Sequence, residues 1–166
     1  MLGTYYKQSI AAFLLCSTGM PGVAHACDWA LKKQTPADIR ARARASFARA
    51  DAVVDVEVTE PTGSGKNWKP GFVPIAYVRV IHSWKGNLSG TFVPIIYLTS
   101  CDIALERKGE KARLLLTGKS VFRAEQELNG GGNADGALFN RTIDAEVRHP
   151  RPRSYNTYPG EPLPAK

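Results

Sequence analysis

Val54, Val56 and Val58 alternate with Asp55, Glu57 and Thr59. That period of two puts the valines on one face of a strand and leaves the other face wet. Related stretches follow at residues 73–85 (VPIAYVRVIHSWK), 91–99 (TFVPIIYLT) and 111–117 (KARLLLT). In the first of these, Ala76, Val78 and Val80 face opposite to Tyr77, Arg79 and Ile81. Residues 120–127 (SVFRAEQE) supply a fifth strand or an extension, and a last strand is expected near 137–147. A Gly- and Pro-rich loop at 60–71 (EPTGSGKNWKPG), a turn at Gly86-Asn87, a turn or short helix at 101–108 and a flexible connector at 129–136 (NGGGNADG) separate them. Pro94 has no N–H to give to a ladder, which moves the third strand toward a sheet edge or a bulge.

One helix precedes these strands, over residues 35–50. Thr35 can cap it, Pro36 suits its first turn, and Asp38 favours the positive end of its dipole. Ile39, Ala43, Phe47 and Ala50 form one buried stripe, leaving Arg40, Arg42, Arg44 and Arg49 on the rest of the surface. A helix with five or six short antiparallel strands predicts a mainly β fold, an OB-like barrel. From His149 onward prolines crowd a stretch poor in apolar residues, so 149–166 reads as a disordered tail.

The first 26 residues have the order of an export signal. Lys7 gives a positive start, residues 10–16 (IAAFLLC) an apolar centre, Pro21-Gly22 a break, and Ala24-His25-Ala26 a small-x-small cleavage site. Cleavage between Ala26 and Cys27 leaves a periplasmic or secreted domain over 27–148. The apolar centre is too short to span a membrane, and no run reaches the roughly 18 residues a membrane helix needs. A cysteine just after the cleavage point raises a lipid anchor at Cys27, but Ala24 and His25 stand where a lipobox favours leucine and a small residue.

Of three cysteines, Cys16 leaves with the signal, and the remaining two can pair in an oxidising compartment; two unpaired thiols are the alternative. A Cys27–Cys101 bridge would contribute about 4 kcal/mol on the chain-entropy argument.

Catalytic patterns are thin. Gly63-Ser64-Gly65-Lys66 lacks the spacing and the Ser/Thr of a phosphate loop. The mature chain keeps only His82, in a strand beside Trp84, and His149. There is no nucleophile elbow, zinc-protease helix or Cys-x-x-Cys. The reading is a non-enzyme with no cofactor and no intrinsic metal. Asn87-Leu88-Ser89 and Asn140-Arg141-Thr142 match glycosylation sequons.

In order along the chain stand Phe47-Ala48-Arg49-Ala50-Asp51-Ala52-Val53 entering a strand, Trp84-Lys85-Gly86 ending one, Thr99-Ser100-Cys101-Asp102-Ile103, Gly109-Glu110, and Leu114-Leu115-Leu116-Thr117-Gly118. Together, over about residues 27–145, they resemble the netrin module, the family of the tissue inhibitors of metalloproteinases. The resemblance implies a five-stranded OB-type barrel and a bridge from the N-terminal cysteine, Cys27, to Cys101. The family's second bridge has no counterpart: Trp29 replaces its first cysteine and none lies near 140–142. Asp102 stands where the family commonly has glycine.

The functional implication is a non-enzymatic module that binds another exported protein, Cys27 and Trp29 anchoring the leading end. The inhibitor branch implies an alternative, in which the α-amine and carbonyl of Cys27 chelate a protease's catalytic zinc, with Asp28 pointing into its specificity pocket. An unpartnered carboxylate there would be desolvated at a cost of several kcal/mol. Loss of Lys7 leaves 21 Lys and Arg against 15 Asp and Glu, a net of +6. The third reading therefore has anionic glycans or other polyanions bound by an aromatic–basic surface of Trp68, Lys69, Tyr77 and Arg79. Nucleic acid is not an expected partner of an exported protein.

Overall fold

The computed structural model describes residues 34–63, 71–88 and 90–152. The segment read as a signal peptide, Cys27, Asp28, Trp29, Trp68, Lys69 and positions 153–166 lie outside the described residues.

Helix α1 spans Pro36–Arg49. Its first turn closes a capping box: the Asp38 N–H donates to the Thr35 hydroxyl oxygen at 3.2 Å and the Thr35 N–H donates to the Asp38 carboxylate at 2.9 Å. The Thr35 hydroxyl donates to that carboxylate as well, at 2.7 Å. This hydroxyl bond first, and the backbone bond after it, hold the Asp38 carboxyl below its ordinary value of 3.8. At the other end Lys85 Nζ donates to the carbonyls of Phe47 and Ala48 at 2.9 and 2.7 Å, placing a cation at the negative pole of the dipole.

Strands β1 (Ala52–Glu60), β2 (Ile75–Lys85), β3 (Phe92–Ile96), β4 (Lys111–Gly118) and β5 (Phe122–Arg123) close a barrel in the order β1-β2-β3-β5-β4. This is an OB-like barrel. It closes through a parallel pair, Ile95 beside Phe122 and Ile96 beside Arg123, where an all-antiparallel barrel was expected. Val54, Val56, Val58, Ala76, Val78 and Val80 point inward and are fully buried. Burying each valine removes apolar surface worth about 1.5–3 kcal/mol gross.

The wet outer face expected for β1 holds at Glu57 and Thr59, which are partly exposed, but its first half is dry. Val53 has no exposure and Asp55 only 6%. The cause is a second core on the outside of the barrel, where Val53 and Leu115 meet Ile39 and Ala43 of α1 together with Phe139 and Ile143. The last two belong to a second helix, α2 (Gly136–Val147), where a strand was expected. Phe139, Ile143 and Val147 recur at the helical spacing of four, and the Asp135 carboxylate caps the first turn by accepting from the Leu138 N–H at 2.8 Å.

The connector before α2 is ordered. Asn129 is buried, accepts from the Leu115 N–H at 2.8 Å and donates to the Leu115 carbonyl at 2.9 Å. At Gly130, φ is +98° and an added Cβ would lie 2.8 Å from the Phe139 ring, so only glycine lets this turn approach the helix.

Residues 149–152, the start of the stretch read as the tail, also pack. Arg113 is fully buried, and each of its five N–H groups finds an oxygen. Nε and Nη2 clamp Asp55 at 2.7 and 2.9 Å. Nη1 reaches Asp144 at 3.0 Å and the His149 carbonyl at 2.8 Å, and Nη2 also reaches the Pro150 carbonyl at 3.2 Å. One guanidinium thus joins β4, β1, α2 and the chain leaving α2.

Candidate functional site

The two helices cover the outside of β1, β4 and the end of β2 at Trp84 and Lys85, and leave the rest of β2, β3 and β5 bare. In a sheet with one solvated face the outward positions should be polar. Here they are not. Opposite Tyr77 on β2 stands Pro94, and opposite Arg79 stands Phe92. Phe92 is 65% exposed, Ile81 42% and Tyr77 36%. Val121, just before the inward Phe122, adds another exposed apolar side chain beside β3. Phe72 and Leu98, on the segments flanking β2 and β3, are exposed too.

Pro94 keeps this face from growing into a larger sheet. Val80 donates to the Thr91 carbonyl and Tyr97 to the Pro74 carbonyl, so odd-numbered residues of β3 carry the ladder to β2. The Pro94 nitrogen therefore faces the other side, where β5 reaches only Ile95 and Ile96. A missing donor there blunts an open edge. β3 as a whole is neither the edge strand nor the bulge expected from Pro94, since the closed barrel sets it between β2 and β5 in unbroken register with β2; Pro94 is accommodated where β3 runs past the end of β5.

Among the described residues, Arg79 and Arg123 of this face are held internally. Arg79 Nη2 lies 2.6 Å from Glu57, and Arg123 lies 2.8 Å from Asp102 and 3.4 Å from Glu125. Tyr77 and Arg79 are adjacent on the outer face of β2, as the sequence predicts. Arg79 is paired with Glu57, and Trp68 and Lys69, the other members of the aromatic–basic surface, lie outside the described residues.

Asp102 fixes the turn that carries Cys101. It has 1% exposure, and one oxygen accepts from the N–H groups of Leu98 and Thr99 at 2.8 and 3.0 Å while the other takes Arg123. Glycine at that position would lose all three bonds. Cys101 itself is disulfide-bonded.

His82 and His149 flank Trp84, with ring centroids at 3.9 and 4.9 Å, and Arg113 lies 5.1 Å from the same ring. Trp84 Nε1 donates to Asp55 at 2.9 Å. The cluster joins β2 to the chain after α2, and Asp55 spends its oxygens on Arg113 and Trp84. Among the described residues no three His, Cys, Asp or Glu side chains converge to hold a metal. None of their helices is long and apolar enough to cross a membrane. Asn140 is only 7% exposed, which closes the second sequon to a glycan; Asn87 is exposed at the β2–β3 turn.

Sequence reasoning missed Phe92 and Val121. The signal was present, because residues 91–99 show no polar alternation on either face.

The closed order with β3 beside β5 defines an OB-like barrel with helices over one side. No protein-family model, curated protein or solved structure matches the chain.

Proposed function

We propose that the chain is an exported, non-enzymatic module that binds another protein through the bare face of β2, β3 and β5. The observation that carries this reading is Phe92, two-thirds exposed at 65% among Tyr77, Ile81 and Val121. An apolar patch of this kind marks an interaction surface, and aromatic side chains are enriched at the centres of such contacts. With Arg79 and Arg123 already paired, the partner is an apolar protein surface rather than a polyanion. The module starts at Cys27 once its signal is removed, and a Cys27–Cys101 bridge ties that end to the turn ordered by Asp102.

Capture from the exported fraction tests the face. Wild type should retain a partner that Phe92→Ser and Tyr77→Ser lose and Lys108→Ser keeps. A partner retained equally by all three variants contradicts the reading. Intact mass tests the rest: it should begin at Cys27 and be two hydrogens light, whereas a diacylglycerol adduct would make the protein lipid-anchored.

The disulfide at Cys101 favours a second reading, because a bridged Cys27 would present a rigid α-amine and carbonyl to the zinc of a metalloprotease. Extending the N-terminus by one alanine would abolish such inhibition and leave binding at Phe92 unchanged.

A further inference from the structure

The chain's surplus of positive charge has a second location. Arg40 and Arg49 on α1, Arg141 on α2 and Arg148 at its end are all exposed. Among the described residues none of the four has an ion-pair partner. The exposed carboxylates beside them are already engaged: Asp38 in the α1 capping box, Asp51 with the Gly118 N–H at 2.8 Å, and Glu146 with Arg44 at 3.2 Å, a contact that also ties the two helices together.

Every cation that the two helices themselves carry is arginine, the side chain whose planar fork matches phosphate oxygens. Between them the solvent face presents small residues, Ala41, Ala45 and Ala145, which let a broad surface come close. Arg141 lies on the exposed side of α2, and Arg148 follows as its left-handed C-cap at φ +55°. No aromatic side chain is exposed on either helix, so the stacking platform that single-stranded nucleic acid needs is missing.

We infer that the α1–α2 layer is an electrostatic docking face for an anionic phospholipid surface, with Arg40, Arg49, Arg141 and Arg148 contacting headgroup phosphates. This site is independent of the apolar barrel face and lies on the other side of the barrel sheet. Docking here would leave Phe92 and Tyr77 directed away from the bilayer. It is peripheral, because the helices bury their apolar stripes against the barrel and have none to insert.

Sedimentation of the full chain with vesicles tests it. The protein should pellet at low salt with phosphatidylcholine vesicles containing phosphatidylglycerol, stay in solution with pure phosphatidylcholine, and be released as moderate salt screens exposed charges. Each arginine contributes about fivefold in partitioning, the equivalent of about 1 kcal/mol per charge near an anionic surface. Arg40→Gln with Arg141→Gln should therefore lower binding roughly 25-fold. The Arg107→Gln with Lys108→Gln variant removes the same charge from the exposed turn before β4 and should change binding by less than about threefold, since β4 separates that turn from Asp51 and the end of α1. Equal losses in the two double variants would show attraction by net charge alone and overturn the assignment. So would binding to neutral vesicles. Retention on heparin at salt that strips the protein from vesicles would assign the face to a linear polyanion instead.

Discussion

Replacing Arg113 by methionine removes the one side chain that touches β1, β4, α2 and the segment beyond it. Five hydrogen bonds go with it, two of them to Asp55, which is 6% exposed. Asp55 then keeps only the Trp84 N–H as a partner for a buried negative charge. Removing one member of such a pair costs about 3–5 kcal/mol, most of it the penalty of the stranded charge. Asp144 still has Arg151 at 3.3 Å, and the His149 and Pro150 carbonyls are on exposed residues, so they add little. For a domain of this size the loss lowers the melting temperature by about 10–20 °C. The discriminating variant is Arg113→Met with Asp55→Asn, which removes the charge but keeps an oxygen for Trp84. It should recover about 2 kcal/mol relative to Arg113→Met alone. Urea unfolding followed by tryptophan fluorescence measures both. A single variant that loses less than about 1 kcal/mol, or a double variant no better than the single, refutes the stranded-charge argument.

Two further outcomes rest on local geometry. Gly118 sits at φ +121° with the Val121 carbonyl oxygen 2.2 Å from an added Cβ, so Gly118→Ala must move backbone and should cost more than about 2 kcal/mol. Gly136→Ala, at the start of α2 with nothing within 4 Å, should instead stabilise by up to about 1 kcal/mol in the same urea assay. Asp38 has a lowered native pKa, so its contribution is present above the ordinary value of 3.8 and is lost as pH falls through the lower native value. Far-ultraviolet dichroism on acid titration should show Asp38→Asn abolishing that part of the loss; an unchanged acid limb would contradict the capping box.

Those features rest on different ranges of sequence separation, and so did their legibility. The α1 cap and stripe, the inward valines of β1 and β2, and the strand at 111–117 are local patterns, readable within one window. The first half of the outer face of β1 was not, because Asp55 is dry on account of Arg113, 58 positions away. The second helix was misread for a chemical reason: Phe139, Thr142, Ile143 and Val147 are β-favouring types, and a glycine-rich run precedes them. Their spacing of four and the Asp135 cap were the better guide. Tyr77 and Arg79 were legible as an outward pair, whereas the pairing of Arg79 with Glu57 depends on the register between β1 and β2. Phe92 joined them only through the β2–β3 register.

The proposal that the bare side of the barrel is a protein-docking face is tested most directly by site-specific photo-crosslinking in the exporting cell. A benzophenone side chain at position 92 or 121 should give one discrete higher-mass protein adduct, and the same group at Ala45 or Lys108 should not. No adduct at 92 and 121, or the same adduct from all four positions, would contradict it.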